Sequence, residues 1–223
     1  MQTFATTAPI TTVVDIPAGH LRFIAADRAD TTVDIRPARA GRSRDVKAAQ
    51  DTTVTYTDGV LTITAPDAKN QLFGPSGAVE ITVQLPAGSR VQATAAGAEL
   101  RGVGRLGDVS YESAQGPVKL DEAATVRLAL QDGDITIGRL NGSADLTTAR
   151  GDLRVTEATT GTVALTTQAG SITVGAARGT AATLDAGTSY GRIHNTLQNA
   201  KGTGADLTIR ATTSHGDITA HSN

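Results

Sequence analysis

Four aspartates share one position, directly after a glycine, and could carry acid–base chemistry. They are Asp108, Asp134, Asp152 and Asp217. Stacked on one outward face of a repeat, such carboxylates could cleave polysaccharides by general acid–base catalysis. The series is interrupted by Pro117, Ser171 and Arg192, and aspartates at chain corners commonly accept hydrogen bonds from nearby backbone N–H groups. The sequence favours this structural role, and a carbohydrate-active β-helix enzyme remains the alternative.

The four histidines could bind a metal only if folding brought them together. They are His20, His194, His215 and His221. His215 and His221 flank the last repeat and could meet His194 from the preceding one, but none has metal-ligand spacing and no HExxH motif occurs. The chain has no cysteine and no Gly-x-Ser-x-Gly elbow. We therefore predict no catalytic residue, no metal and no cofactor, and favour an interaction or scaffold module over an enzyme.

A short phrase recurs six times in the second half of the chain, reading glycine, any residue, then apolar, polar, apolar, with Asn195 at the last apolar position of one copy. It occupies residues 116–120, 133–137, 151–155, 170–174, 191–195 and 216–220. An apolar-polar-apolar triplet precedes each phrase. Strict alternation with glycine punctuation is typical of β-strands, because successive side chains point to opposite faces. Each unit therefore contains two short strands and two corners.

The spacing of the phrases predicts the architecture. Successive phrase glycines lie 17, 18, 19, 21 and 25 residues apart, and a period near 20 residues is typical of solenoids, whose units bury their apolar faces by stacking. We predict an all-β parallel β-helix (β-solenoid), with an antiparallel meander as the alternative. Residues 1–223 should form a single continuous domain, with irregular N-terminal strands in 1–95 and regular rungs in 96–223. The phrase glycines are expected to supply positive-φ corners.

The middle residue of each phrase should point outward and form a row along the solenoid. In chain order the row reads Lys119, Thr136, Arg154, Thr173, His194, Thr219. Cations two rungs apart would lie about 9.6 Å from each other, a separation near the Debye length of about 8 Å at physiological salt. Lys119, Arg154 and His194 are thus candidate binding residues for an extended acidic partner. A solvated β-surface rich in threonine explains the row equally well.

The pattern resembles the bacterial putative-adhesin family of β-strand-repeat domains. The resemblance lies in the recurrent Gly-Asp-Ile-Thr-Ile phrase, in Leu-Pro-Ala-Gly-Ser at 85–89 and in Ile-Pro-Ala-Gly at 16–19, and it covers nearly the whole chain. It implies a parallel β-helix-like fold of largely unassigned function. An unknown protein or glycan partner is consistent with it, and self-association through the solenoid ends is a further possibility.

Composition limits the remaining function classes. The formal net charge is −2 and the isoelectric point is near 6.1, which gives no reason to expect a nucleic-acid partner. No stretch of 18 uninterrupted apolar residues predicts a transmembrane segment, and no secretion signal is evident at the N-terminus. We expect a cytoplasmic protein, with an extracellular location as the alternative.

One basic run stands out in the first half of the chain. Residues 36–47 contain four arginines and Lys47 against the single acid Asp45. The run is short and has no interleaved aromatic residues, so it favours a solvated loop between strands over a nucleic-acid-binding arm.

Overall fold

A computed structural model describes residues 1–66, 77–198 and 206–223 of the chain. The fold is all-β, with 71% strand and 4% helix, and its 17 strands belong to one hydrogen-bonded sheet. Among the described residues, no helix has the length and apolar content needed to cross a membrane.

The strands that precede the phrases form one parallel ladder, here called the first ladder. In stacking order it comprises β5 (Val60–Thr64), the start of β2 (Thr11–Ala26), two segments of β7 (Arg90–Gln115), the end of β8 (Val118–Asp132), β10 (Ala144–Arg150), β12 (Gly161–Ala169), β16 (Leu207–His215) and β14 (Ala182–Tyr190). Strand β7 winds through a full unit, so that its last segment stacks on its first. The Gly107 N–H accordingly donates to the Ser89 carbonyl at 2.9 Å.

The phrase strands form a second parallel ladder. In stacking order it comprises β6 (Val79–Pro86), the end of β2, the middle of β7, the start of β8, β9 (Ile135–Leu140), β11 (Leu153–Ala158), β13 (Ile172–Ala176), β17 (Ile218–Ser222) and β15 (Ile193–Thr196). Every pair between repeat units is parallel, whereas a meander requires antiparallel neighbours.

One apolar interior joins the two ladders. Apart from the end strand β15, alternate side chains of the units belong to a single buried cluster, including the predicted interior residues Val109, Val126, Val163, Ile135 and Ile172, each at most 4% exposed. The interior thus contains mainly valine, isoleucine and leucine stacked on like residues of the next unit. Only one side-chain polar atom in the described residues is buried without a hydrogen-bond partner, the Thr12 hydroxyl oxygen.

The phrase glycines are fixed by close backbone contact at the corners. A Cβ on Gly170 would lie 2.0 Å from the Gly151 carbonyl oxygen, and a Cβ on Gly151 would lie 2.2 Å from that of Gly133. Positive φ angles occur at five of the six, as predicted, and Gly191 is the exception. Its Cβ would nevertheless meet the Gly216 carbonyl oxygen at 2.0 Å, so the packing requires glycine there as well.

Antiparallel strands close the N-terminal end of the stack. Strand β3 (Asp30–Pro37) pairs with β6, β1 (Gln2–Ala5) with β3, and β4 (Thr53–Thr57) with β5. The basic run at 36–47 was expected to be a loop, which was wrong at both of its ends: Arg36 and Pro37 belong to β3, and helix α1 (Ser43–Asp51) begins at Ser43. The buried Asp45 carboxylate anchors α1 by accepting the Ala78 N–H at 3.1 Å.

The C-terminal end departs from chain order. Strand β16 lies between β12 and β14, so that Leu207 pairs with both Gly161 and Ala182. Strand β17 likewise separates β13 from β15, where Ile218 pairs with Ile172 and Ile193. The last segment of the chain is therefore inserted into the stack, and β14 with β15 forms its end. The sequence predicted that the units stack in chain order, which is wrong for these two.

Candidate functional site

The three candidate binding residues lie in one outward row of the second ladder. Lys119 and Arg154 both pair with Thr136, on opposite sides. Beyond Arg154 the row continues through Thr173 and Thr219 to His194. Lys119, Arg154 and His194 are all exposed. The predicted alternation of cation and threonine holds as far as Thr173, after which the insertion of β17 exchanges the last two positions.

Two arginines that the sequence analysis missed extend the row. Arg22 pairs with Arg101, and Arg101 pairs with Lys119, so three cations occupy consecutive strands. Both arginines follow a buried leucine, in Leu21-Arg22 and Leu100-Arg101; Gly19 stands three residues before Arg22, as in a phrase, whereas Ala98 occupies that position before Arg101. We call Arg22, Arg101, Lys119, Arg154 and His194, with the threonines between them, the basic row.

The cations of the basic row differ in how they are held. Arg101 donates to the Asp121 carboxylate at 2.6 Å, to the Gly102 carbonyl at 2.8 Å and to the Lys119 carbonyl at 3.2 Å. Its guanidinium is therefore held against the adjacent strand β8. In the described residues, the side chains of Arg22, Lys119 and Arg154 form no ion pair. These three cations are available to a partner.

A row of carboxylates runs beside the basic row on the same face. The backbone pairs place Glu80, His20, Glu99, Pro117, Asp134, Asp152, Ser171, Asp217 and Arg192 in stacking order. We call its five acids, Glu80, Glu99, Asp134, Asp152 and Asp217, the acidic row. Each lies two residues before a position of the basic row in the chain, a separation of about 7 Å in extended backbone. The acidic row is partly neutralised along the stack, because His20 contacts Glu99 at 3.2 Å and Arg192 pairs with Asp217 at 3.1 Å.

The corner aspartates hold the backbone of the next unit. Asp134 accepts the N–H of Asp152 at 2.8 Å, Asp152 accepts that of Ser171 at 2.7 Å, and Asp217 accepts that of Arg192 at 2.8 Å. The same bond thus repeats along the spatial order of the units, including the inserted one. This is the structural role that the sequence favoured.

Asp108 does not belong to this series. It lies on the first ladder, where its carboxylate accepts from the Thr125 hydroxyl at 2.7 Å and from Arg90 at 2.7 Å and 3.1 Å. The expectation that all four post-glycine aspartates stack was therefore wrong for Asp108. The Gly107-Asp108 dipeptide begins a first-ladder strand, whereas the other three begin phrase strands.

The electrostatics of these carboxyls do not suit a general acid. The Thr125 hydroxyl and then Arg90 lower the pKa of Asp108, and the backbone N–H and then the side chain of Arg192 lower the pKa of Asp217. A glycosidase acid needs a raised pKa so that it can donate a proton near neutral pH. These two groups are held in the ionised form.

The histidines lie on separate rows. His194 neighbours Thr219, His221 neighbours Thr196, and His215 stacks on Tyr190 with ring centroids 5.0 Å apart. His20 contacts Glu99 at 3.2 Å near the other end of the stack. Within the described ranges, no group of three or more histidine, aspartate or glutamate side chains could hold a metal ion.

The concavities of the surface are shallow grooves. One of about 410 Å³ lies on the first ladder and contains Arg90, Asp108 and Arg127. Two of those side chains are already bonded to each other. A smaller groove of about 190 Å³ lies on the second ladder between Glu80, Arg22, Glu99 and Arg101. It therefore spans the basic row and the acidic row.

Comparisons with known proteins agree with this architecture. The family model described as Toastrack DUF4097 matches residues 11–221. No curated protein matches the chain. A solved structure described as a putative adhesin from Bacteroides fragilis is 14% identical, with 98% of this chain and 95% of that chain covered and a TM-score of 0.57. A putative adhesin from Parabacteroides merdae (12% identity, 98% and 95% covered) has a TM-score of 0.45, and a putative lipid binding protein from Parabacteroides distasonis (12%, 98% and 95%) has 0.49.

Proposed function

The chain belongs to the Toastrack DUF4097 family, and from this premise we propose that it is a non-catalytic interaction module. Its two ladders close into a parallel β-helix, and residues 1–95 and 96–223 form one continuous domain. The parallel register of β2 with β7 over residues 11–24 supports this continuity. The adhesin-like description of the Bacteroides fragilis neighbour agrees with a binding role.

The contact surface of this module is the outward face of the second ladder. The observation that carries this assignment is the basic row, in which Arg22, Lys119 and Arg154 are exposed and form no ion pair in the described ranges. A protein or glycan partner that presents acidic groups along the stack would pair with these cations. Repeat proteins commonly bind through such continuous faces.

The polysaccharide-cleaving alternative has less support. In each of Asp134, Asp152 and Asp217, one carboxylate oxygen already accepts a backbone N–H of the next unit. A catalytic pair needs one carboxyl with a raised pKa, and the pKa shifts resolved for Asp108 and Asp217 are in the opposite direction.

Charge reversal of the basic row tests the proposal. We expect Lys119→Glu with Arg154→Glu to weaken binding of poly-L-glutamate and of acidic glycans at least tenfold, and to reduce the salt dependence of the affinity, because two cations are replaced by anions. Titration calorimetry over a range of ionic strength measures both quantities.

The matched control is Arg127→Glu with Arg210→Glu, which makes the same change in net charge at exposed positions of the first ladder. Affinity should remain within about twofold of the parent, since exposed charges far apart are screened. Equal loss in both variants, or no loss in the first, would contradict the assignment of the face.

A further inference from the structure

The outward face of the first ladder has a groove that the proposed function does not use, here called the first-ladder groove. It has a volume of about 410 Å³ and crosses four consecutive strands, from the first segment of β7 to β10. Val91, Val109, Val126 and Ala144 lie beneath it, with their side chains buried in the interior. Ligand sites usually have volumes of about 300–1,000 Å³. The groove is therefore large enough for a ligand, and it offers polar side chains above a paired backbone.

One wall of the first-ladder groove is held in place by hydrogen bonds. The Asp108 carboxylate accepts from Arg90 at 2.7 Å and 3.1 Å and from the Thr125 hydroxyl at 2.7 Å. On the next strand, the Ser143 hydroxyl oxygen accepts the Thr162 N–H at 3.1 Å. Because these side chains are already ordered, a ligand that contacts them loses little affinity to further ordering.

The other wall is a row of four polar side chains that have no partner in the described part of the chain. Gln92, Ser110, Arg127 and Asp145 follow one another on the four strands. None of their side chains forms a hydrogen bond or an ion pair within the described ranges. Arg127 and Asp145 are even directly paired on adjacent strands. This wall therefore keeps its donors and acceptors available to a ligand.

The charges that line the groove cancel. Arg90 and Arg127 are balanced by Asp108 and Asp145, so the groove favours neither an acidic nor a basic ligand. Arginine only donates hydrogen bonds, an ionised carboxylate only accepts them, and glutamine and serine do both. The matching ligand is uncharged and presents donors and acceptors at close spacing. Hydroxyl groups meet both conditions, since each donates one hydrogen bond and accepts others.

A peptide suits this groove less well than a polyhydroxylated ligand does. A peptide that adds to a sheet as a strand needs an unpaired edge, whereas each strand beneath the groove is paired on both of its sides. The apolar side chains beneath the groove are buried in the interior, so the side chains of a peptide would meet only backbone and polar groups.

We propose that the first-ladder groove binds neutral oligosaccharides, with Gln92, Ser110, Arg127 and Asp145 in contact with the sugar hydroxyls. This row extends over about 14 Å along the stack and lies about 7 Å from the fixed wall. A sugar chain that lies along the stack therefore contacts both walls. Hydrogen bonds exposed to water contribute little each, so the affinity is weak, with a Kd of about 1 mM. The site is separate from the basic row, which lies on the other ladder and selects acidic groups.

The experiment is an amide NMR titration of the intact protein with cellohexaose, maltohexaose, mannohexaose and N-acetylchitohexaose. At least one of these oligosaccharides should bind with a Kd of about 1 mM or below. Its affinity should be the same at low and high ionic strength, because salt screens only charged ligands. Polyethylene glycol, whose chain accepts hydrogen bonds but donates none, should not bind. Failure of all four oligosaccharides to bind, or equal binding of polyethylene glycol, would overturn the inference.

Paired substitutions locate the site. Arg127→Ala with Asp145→Ala should weaken binding of the oligosaccharide by about tenfold or more, because both changes remove hydrogen bonds to hydroxyls. The matched control is Arg210→Ala with Asp185→Ala, a directly paired arginine and aspartate of the same row that lie outside the groove. It should leave the affinity within about twofold of the parent, and thermal unfolding verifies that both variants are folded. Equal loss in the two variants, or no loss in the first, would refute the assignment.

The two binding faces are tested separately. Lys119→Glu with Arg154→Glu should leave oligosaccharide binding unchanged, and Arg127→Ala with Asp145→Ala should leave poly-L-glutamate binding unchanged. Oligosaccharide binding that is lost in the second-ladder variant would overturn the inference. If no oligosaccharide binds while the second-ladder variant still weakens poly-L-glutamate binding, the inference fails and the proposed function stands.

Discussion

At the scale of single residues, the phrase glycines determine how closely the units stack. Five of the six have positive φ, between 120° and 156°, a range that L-residues with a side chain rarely adopt. Each also lies against a carbonyl oxygen of the neighbouring unit. The corner aspartates depend on this approach, because Asp152 reaches the Ser171 N–H only when the corners nearly touch. Glycine and aspartate thus act together, one allowing the contact and the other bonding across it.

Gly170→Ala should therefore destabilise the protein by about 3 kcal/mol or more, because the new Cβ adds backbone strain and a backbone clash. Its φ is 156°, and its Cβ would lie 2.0 Å from the Gly151 carbonyl oxygen. Urea unfolding measures the loss.

Gly97→Ala is the matched control, since a Cβ at Gly97 would meet nothing within 4 Å. It should change the free energy of unfolding by no more than about 0.5 kcal/mol. A Gly170→Ala variant as stable as Gly97→Ala would show that the corners can separate without loss of the stack.

Sequence patterns predicted the positions of some candidate contact residues and missed others for identifiable reasons. Lys119 and Arg154 follow a glycine by three residues in a regular phrase, so their outward position could be predicted. Arg101 has no such glycine and was missed, although its apolar neighbour Leu100 is fully buried. Asp108 was misplaced because a Gly-Asp dipeptide can begin a strand in either ladder. The residue types are the same, and only the pairing partner differs.

At the scale of elements, the ends of the stack depart from chain order while the middle follows it. An end unit loses one neighbour, so its inward side chains stay partly exposed. Strands β16 and β17 carry Leu207, Ile209 and Ile218, all at most 1% exposed, whereas Ile193 of the end strand β15 is 46% exposed. Strands β16 and β17 are the more apolar pair, so placing them inside, with β14 and β15 at the end, buries more apolar surface. A similar exchange at the other end places β2 between β7 and the pair β5 and β6.

Engineered disulfides test this order, and the absence of native cysteines makes the result easy to interpret. Thr173→Cys with Thr219→Cys should cross-link on mild oxidation, because the two positions are paired on adjacent strands and a disulfide spans Cα atoms about 4.4–6.8 Å apart. Mass spectrometry of the oxidised protein detects the bond.

Thr173→Cys with His194→Cys is the control. These positions would be adjacent if the units stacked in chain order, but they are two strands, about 9.6 Å, apart. Efficient cross-linking of this pair instead of the first would show that β17 is not inserted.

Chain order is the part of the fold that repeat patterns cannot determine. The phrases at 191–195 and 216–220 share the glycine and the following isoleucine, although Asn195 stands at the last apolar position of the first. The strand content, the parallel stacking and the shared interior follow from the alternation of inward and outward residues. Which unit lies at the end depends on the relative burial of whole strand pairs, a property of the assembled stack.

At the scale of the whole molecule, the distribution of charge distinguishes one face from the rest. The net charge is −2, too small to direct a partner by itself. Ion-paired rows such as Arg90 with Asp108 neutralise themselves, while Arg22, Lys119 and Arg154 form no ion pair in the described part of the chain. At such low sequence identity, likeness to a solved structure shows the fold alone. The assignment of a contact surface therefore rests on the positions of Arg22, Lys119 and Arg154.

Amide NMR mapping tests the central claim, that the outward face of the second ladder is the contact surface, most directly. The protein is titrated with poly-L-glutamate at low ionic strength. Because exposed cations lie on both ladders, the experiment shows which ladder binds the polymer. We predict that the shifted amides cluster around Arg22, Lys119 and Arg154 and recover when salt is added. Shifts that cluster instead around Arg127 and Arg210 on the first ladder, or along the end strands β14 and β15, would contradict the account.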